Sequence, residues 1–158
     1  MTLTTVSSAA FPDKADCSAA VAQVVAFFES LTPETVTKVR QLYAADARFK
    51  DPFNDVTGLA AVEHIFLHMF VALVSPRFVV TGQVVQGAQC FLTWEFHFGF
   101  KNFKQGQKQV ILGASHLLFS PEGQVTLHRD YWDAAEELYE KLPVVGSLMR
   151  WLKKRANT

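Results

Sequence analysis

The feature that most constrains this chain is a change of hydrophobic period near Ser75-Pro76. Before it, apolar residues recur every three or four positions; after it, they alternate. Val21, Val24, Val25, Phe28 and Leu31 share one helical stripe, and Val62, Ile65, Phe66, Met69, Phe70 and Leu73 share another. Beyond the break, Leu92, Trp94, Phe96, Phe98 and Phe100 fall on one face of a strand, with Thr93, Glu95 and His97 on the other. A chain that is helical first and stranded second segregates its helices to one side of a sheet, which defines the α+β class.

Punctuation residues divide these stretches. Asp13 or Asp16 can cap a first helix that runs to about Ser30. Thr32-Pro33-Glu34 is a restart signal and predicts a second helix that buries Val36, Val39, Leu42 and Tyr43 and frays near Ala45-Asp46. Pro52 pushes Asp51 out of the helical region, so residues 49–53 read as a short extended piece and 54–58 as a turn. A third helix is expected over about 59–74. Strands are expected over 77–86, 90–101, 109–120 and 125–132, the last two joined by a turn at Pro121-Glu122-Gly123. Asp133 and Glu136 form a capping-box pattern that starts a terminal helix. The expected organisation is an arm over 1–12, one domain over 13–133 and a helical extension over 134–158.

Composition excludes several functions. The 158 residues carry a formal net charge of +0, so no electrostatic footprint for nucleic acid is present. Fourteen Phe and three Trp are a heavy aromatic load, suited both to a core and to a concave ligand site. Cys17 and Cys90 make neither a disulfide framework nor a metal set. Residues 1–11 lack the pattern of a signal peptide, and no apolar run approaches the length of a membrane span, so a cytoplasmic protein is expected. No phosphate loop, dinucleotide fingerprint or nucleophile elbow occurs, and no cofactor is expected.

Asp51 lies between Phe49 and Phe53, and desolvation there would suit a general base; equally, Asp-Pro can simply make the turn. Alternation puts His128, Asp130 and Trp132 on one face of the last strand. They could anchor a ligand, or His128 and Asp130 could be a structural pair. His64 and His68 have an i, i+4 metal spacing but no evident third ligand, and are read as a solvated face. Leu148, Met149, Trp151 and Leu152 alternate with basic residues and are read as a helix docked on the domain rather than a membrane contact.

The stretch Leu42-Tyr43-Ala44-Ala45-Asp46-Ala47-Arg48-Phe49-Lys50-Asp51-Pro52 with Gly58, and Gly113-Ala114-Ser115-His116-Leu117-Leu118-Phe119 with Gly123, resemble the nuclear transport factor 2-like cone-fold superfamily, in its SnoaL-like and ketosteroid isomerase-like branch. The resemblance implies three N-terminal helices in the concavity of a strongly curved, mixed or antiparallel sheet, with an apolar pocket open at one end. It matches Asp51 to the isomerase's general base. The isomerase's two oxyanion-donor positions hold Phe27 and Ser115 here; Phe27 cannot donate, which argues against steroid isomerisation. Asp51, His128 and Asp130 are the implied catalytic set, with Phe27, Phe53, Leu92, Trp94, Phe96, Ser115 and Trp132 as ligand-binding residues. A small apolar molecule is the implied partner, taken by an isomerase or cyclase type of enzyme or by a non-catalytic binding or dimerisation module. A homodimer through the sheet face bearing Phe91, Thr93 and His97 is also implied.

Overall fold

The structure, a computed structural model, describes residues 17–101, 106–134, 151, 154 and 155. The proposed caps Asp13 and Asp16, the arm, and most of the terminal extension with its basic segment lie outside these. Helix α1 spans Ser18–Glu29. One 3-10 turn over Val36–Lys38 leads into a one-turn helix α2, Val39–Leu42. Strands β1 (Tyr43–Lys50) and β2 (Asp55–Thr57) precede helix α3, Leu59–Ala72. Four long strands follow: β3 Leu73–Gln86, β4 Gln89–Phe100, β5 Lys108–Phe119 and β6 Val125–Tyr131.

All six strands form one sheet, in the order β2-β1-β6-β5-β4-β3. The pairing of β1 with β6 is parallel and the others are antiparallel, so the sheet is mixed. The chain is an α+β cone, with its helices covering the concave face. Val21, Val24, Phe27 and Phe28 of α1 are buried, as are Val62 and Phe66 of α3. Opposite them the sheet buries Tyr43, Phe49, Leu92, Trp94, Phe98 and Leu117. Side chains of this size contribute about 1.5–3 kcal/mol each when taken from water, and that is what closes the sheet over the helices. Among the described residues no helix is long and apolar enough to cross a membrane.

Residues 54–58, read as a turn, hold strand β2 paired with β1, and two element boundaries also differ from the sequence expectation. The second helix ends at Leu42, and residues read as its fraying end are the start of β1. Tyr43 has extended dihedrals and pairs with Val125, and the parallel partner β6 lies too far along the chain for local periodicity to register. The β1–β6 register also shifts between Tyr43 and Arg48, so buried positions run 43, 47, 49 and mimic a helical spacing. Likewise β3 begins at Leu73, directly after α3. Ser75 takes a left-handed φ of 47° where the β3–β4 register shifts, so Ser75-Pro76 is a bulge on an edge strand, a place that tolerates proline.

Candidate functional site

An open cavity of about 510 Å³ lies between α3 and the concave sheet face, a size that suits a small organic molecule. Ile65, Phe66 and Met69 line it from α3, Phe78, Phe96 and Phe98 from the sheet. Phe49, Phe100, Leu73 and Ile111 extend the apolar wall. The polar lining is short: Asp51, Asn54, His64, His68 and Asp130, with the indoles of Trp94 and Trp132. Beneath it a second crevice of about 20 Å³, room for roughly one water, is bounded by Leu92, Ser115, His128 and Phe28. Asp130 and Trp94 border both spaces.

A hydrogen-bonded chain holds Asp130 in place. On one side, Tyr43 Oη lies 2.7 Å from His128 Nδ1, and His128 Nε2 lies 2.7 Å from Asp130 Oδ1. On the other, Trp94 Nε1 donates to Ser115 Oγ at 2.8 Å, and Ser115 Oγ donates to Asp130 Oδ1 at 2.5 Å. The strands explain the convergence. Ser115 and Asp130 are register partners across β5 and β6, and His128 shares Asp130's face two residues earlier. Burial, helped by the charge of Asp130, raises the Tyr43 phenol well above its ordinary pKa, so it stays protonated. Hydrogen-bond logic then assigns Tyr43 O–H as donor to Nδ1 and leaves the Nε2–H of His128 to donate to Asp130. Every donor in the chain has an acceptor. His128 is 2 % exposed and ringed by Phe28, Phe49 and Phe66, which fix its plane. Both interactions of Asp130 fall on Oδ1; no described residue bonds Oδ2.

Asp51 is on the cavity wall, but its carboxylate works within its own loop. Oδ1 accepts from the backbone N–H of Phe53 (2.7 Å) and Asn54 (2.6 Å), and the Asn54 amide reaches both oxygens at 3.0 Å. This is the turn-making role that an Asp-Pro step performs. The left-handed φ of 102° at Gly58 then turns the chain from β2 into α3.

Of the residues anticipated from sequence, Asp51, Phe53, Trp94, Phe96, Asp130 and Trp132 line the main cavity, and Leu92, Ser115 and His128 line the inner crevice. Phe27 does not reach either space. It is buried against Phe28 and Phe66, because its position on α1 faces α3. His64 and His68 are exposed, as expected of a solvated face, yet they also rim the cavity. Their rings are 6.2 Å apart, and no cluster of three metal-ligating side chains occurs among the described residues. Tyr43 was missed as a site residue, since its contact with His128 depends on the β1–β6 pairing. Gly113 was also missed. A Cβ there would lie 2.2 Å from the Trp94 ring, so only glycine lets the indole rest on β5 and reach Ser115.

A sheet wrapped over helices, with an open apolar cavity at one end, defines a nuclear transport factor 2-like cone-fold protein. More narrowly, the chain belongs to the SnoaL-like domain family, whose model matches residues 24–128. Solved structures agree on the fold. A hypothetical protein with a ketosteroid isomerase-like fold from Catenulispora acidiphila, in complex with trimethylamine, is 15% identical with a TM-score of 0.64, covering 75% of this chain and 88% of its own. An LEH-like epoxide hydrolase from M. tuberculosis is 17% identical with a TM-score of 0.62, covering 75% and 85%. A protein described as a SnoaL-like polyketide cyclase, from Jannaschia sp. CCS1, is 15% identical with a TM-score of 0.65, covering 80% and 91%. No curated protein matches the chain in sequence.

Proposed function

We propose that the chain takes a small, mostly apolar molecule into the cavity and that Asp130 acts there as general base, removing a proton next to a carbonyl in a reaction of isomerase or cyclase type. One observation carries this reading. Asp130 has one oxygen tied to His128 and Ser115 and the other without a partner among the described residues, in a residue that borders the cavity. A base needs an oriented, accessible lone pair, and the His128–Tyr43 chain supplies the orientation. Asp51 has its oxygens engaged by the turn, so its role in this reading is to shape the mouth. The small organic molecules named for the relatives, trimethylamine, an epoxide and a polyketide, support a small-molecule cavity.

A second reading is a non-catalytic receptor. It is favoured by the absence, among the described residues, of a free donor beside Asp130: Ser115 is committed to the carboxylate, and Phe27 is apolar and lines neither space. The deciding experiment is deuterium exchange of α-protons in a panel of small cyclic ketones, followed by NMR in D₂O with the protein present. An enzyme accelerates exchange of at least one ketone that it binds. A receptor binds without acceleration.

Pairing of two copies through the convex face is part of the proposal. Phe91 and Leu112, on adjacent strands, are 45% and 59% exposed there, and Glu95 bonds His97 at 2.8 Å beside them. The buried thiols of Cys17 and Cys90 suit a reducing cytoplasm.

A further inference from the structure

The mouth of the cavity exposes aromatic surface. Phe53 is 52% exposed, yet its ring meets Trp132 edge to face, with centroids 5.4 Å apart. Both residues line the cavity together with Asp51. Among the described residues no lysine or arginine contributes to this lining, and its titratable groups are Asp51, Asp130, His64 and His68. Lys50 and Arg129 border an adjoining basin that shares Asp51, Asp130 and Trp132 with the cavity. Lys50 is held by Asp55 at 2.7 Å, and the Arg129 guanidinium lies over the Tyr131 ring at 4.8 Å. Among the described residues the cavity side of the entrance therefore presents aromatic rings and a carboxyl group, with Lys50 and Arg129 on its outer side, drawn toward Asp55 and the Tyr131 ring.

The state of Asp51 narrows the chemistry. Its oxygens already accept four hydrogen bonds from the Phe53–Asn54 turn, so it has little capacity for a further N–H donor. Its charge still acts at the mouth, because hydrogen bonding redistributes a carboxylate's charge without removing it. A quaternary ammonium is the cation that needs field and aromatic contact but no hydrogen bond. We infer that the mouth formed by Asp51, Phe53 and Trp132 binds a trialkylammonium group of a ligand whose apolar part fills the cavity. This rests on the cavity being a small-molecule site and adds the charge class of what it takes.

Calorimetry on the full chain tests it with two soluble molecules of one shape, (4-hydroxyphenyl)trimethylammonium and 4-tert-butylphenol, which differ by a nitrogen cation in place of a carbon. The ammonium is expected to bind at least about tenfold tighter. Asp51→Asn, which keeps acceptors for the turn, and Trp132→Leu should each remove most of that advantage, read as the ratio of the two affinities within each variant. Trp132→Phe should restore part of it. Equal binding of the two molecules would overturn the inference and leave the cavity reading standing, as would an advantage that survives both substitutions. Failure of both molecules to bind would overturn the two together.

Discussion

His128 Nε2 and Asp130 Oδ1 lie 2.7 Å apart on one face of β6, with the imidazole held from behind by Tyr43 at 2.7 Å. This pair joins the buried end of the cone to its open cavity.

Tyr43→Phe leaves the ring in place and removes the hydroxyl that bonds His128. The unpaired imidazole nitrogen is buried, so a loss of about 1–3 kcal/mol is expected by denaturant unfolding. The variant also tests a pH effect. Burial, with a lesser part from Asp130, raises the Tyr43 pKa, so the folded state holds this proton more tightly than the unfolded chain. The resulting stabilisation is fully present below the ordinary tyrosine value of about 10 and is lost as pH rises toward the folded value. Stability of the wild type should fall more steeply above that point than stability of Tyr43→Phe. Parallel pH curves would contradict the assignment.

Gly113→Ala puts a methyl group where the Trp94 ring now lies. Overpacking of this kind costs about 1–3 kcal/mol, and the indole must leave Ser115 to relieve it. Thermal denaturation and a shift of tryptophan emission read the two effects. Unchanged stability and emission would mean that the ring has room that the geometry denies it.

Asp51→Ala removes the acceptor for two backbone amides and the Asn54 side chain. A loss of about 1–2 kcal/mol is expected, as for a lost turn or helix cap. Stability unchanged within error would show that the turn does not depend on this carboxylate.

The proposed pairing through the convex face makes Phe91→Glu with Leu112→Lys a monomer. Light scattering should give twice the 17.7 kDa chain mass for the wild type and the single mass for the variant. A wild-type monomer at micromolar concentration would contradict it.

The parts legible in the sequence are those set by local periodicity. Alternation from Leu92 to Phe100 placed the concave face of β4, and the stripe from Val62 to Met69 placed the buried side of α3. Alternation also put His128 and Asp130 on one face, which the cone-fold resemblance turned inward, and there they are found hydrogen-bonded. What was not legible depends on contacts distant in sequence. Tyr43 reads as helix because its nearest buried neighbours are spaced by a bulge, and its true partner is 85 residues away. Asp51 carried two readings, base or turn former, and the backbone bonds from Phe53 and Asn54 decide where its oxygens point. The exposed residues His64 and His68 rim the cavity through the curvature of the sheet, which no pattern within α3 encodes.

In the proposed reaction Asp130, and not Asp51, is the base of this cavity. The direct measurement is the rate of α-proton exchange for one ketone that the wild type accelerates, compared between Asp130→Asn and Asp51→Asn at equal folded fraction. A loss of about 100-fold or more is expected in Asp130→Asn, the usual range for removing a general base, and a rate within a few fold of wild type in Asp51→Asn. The reverse pattern, with exchange abolished by Asp51→Asn and retained by Asp130→Asn, would contradict it.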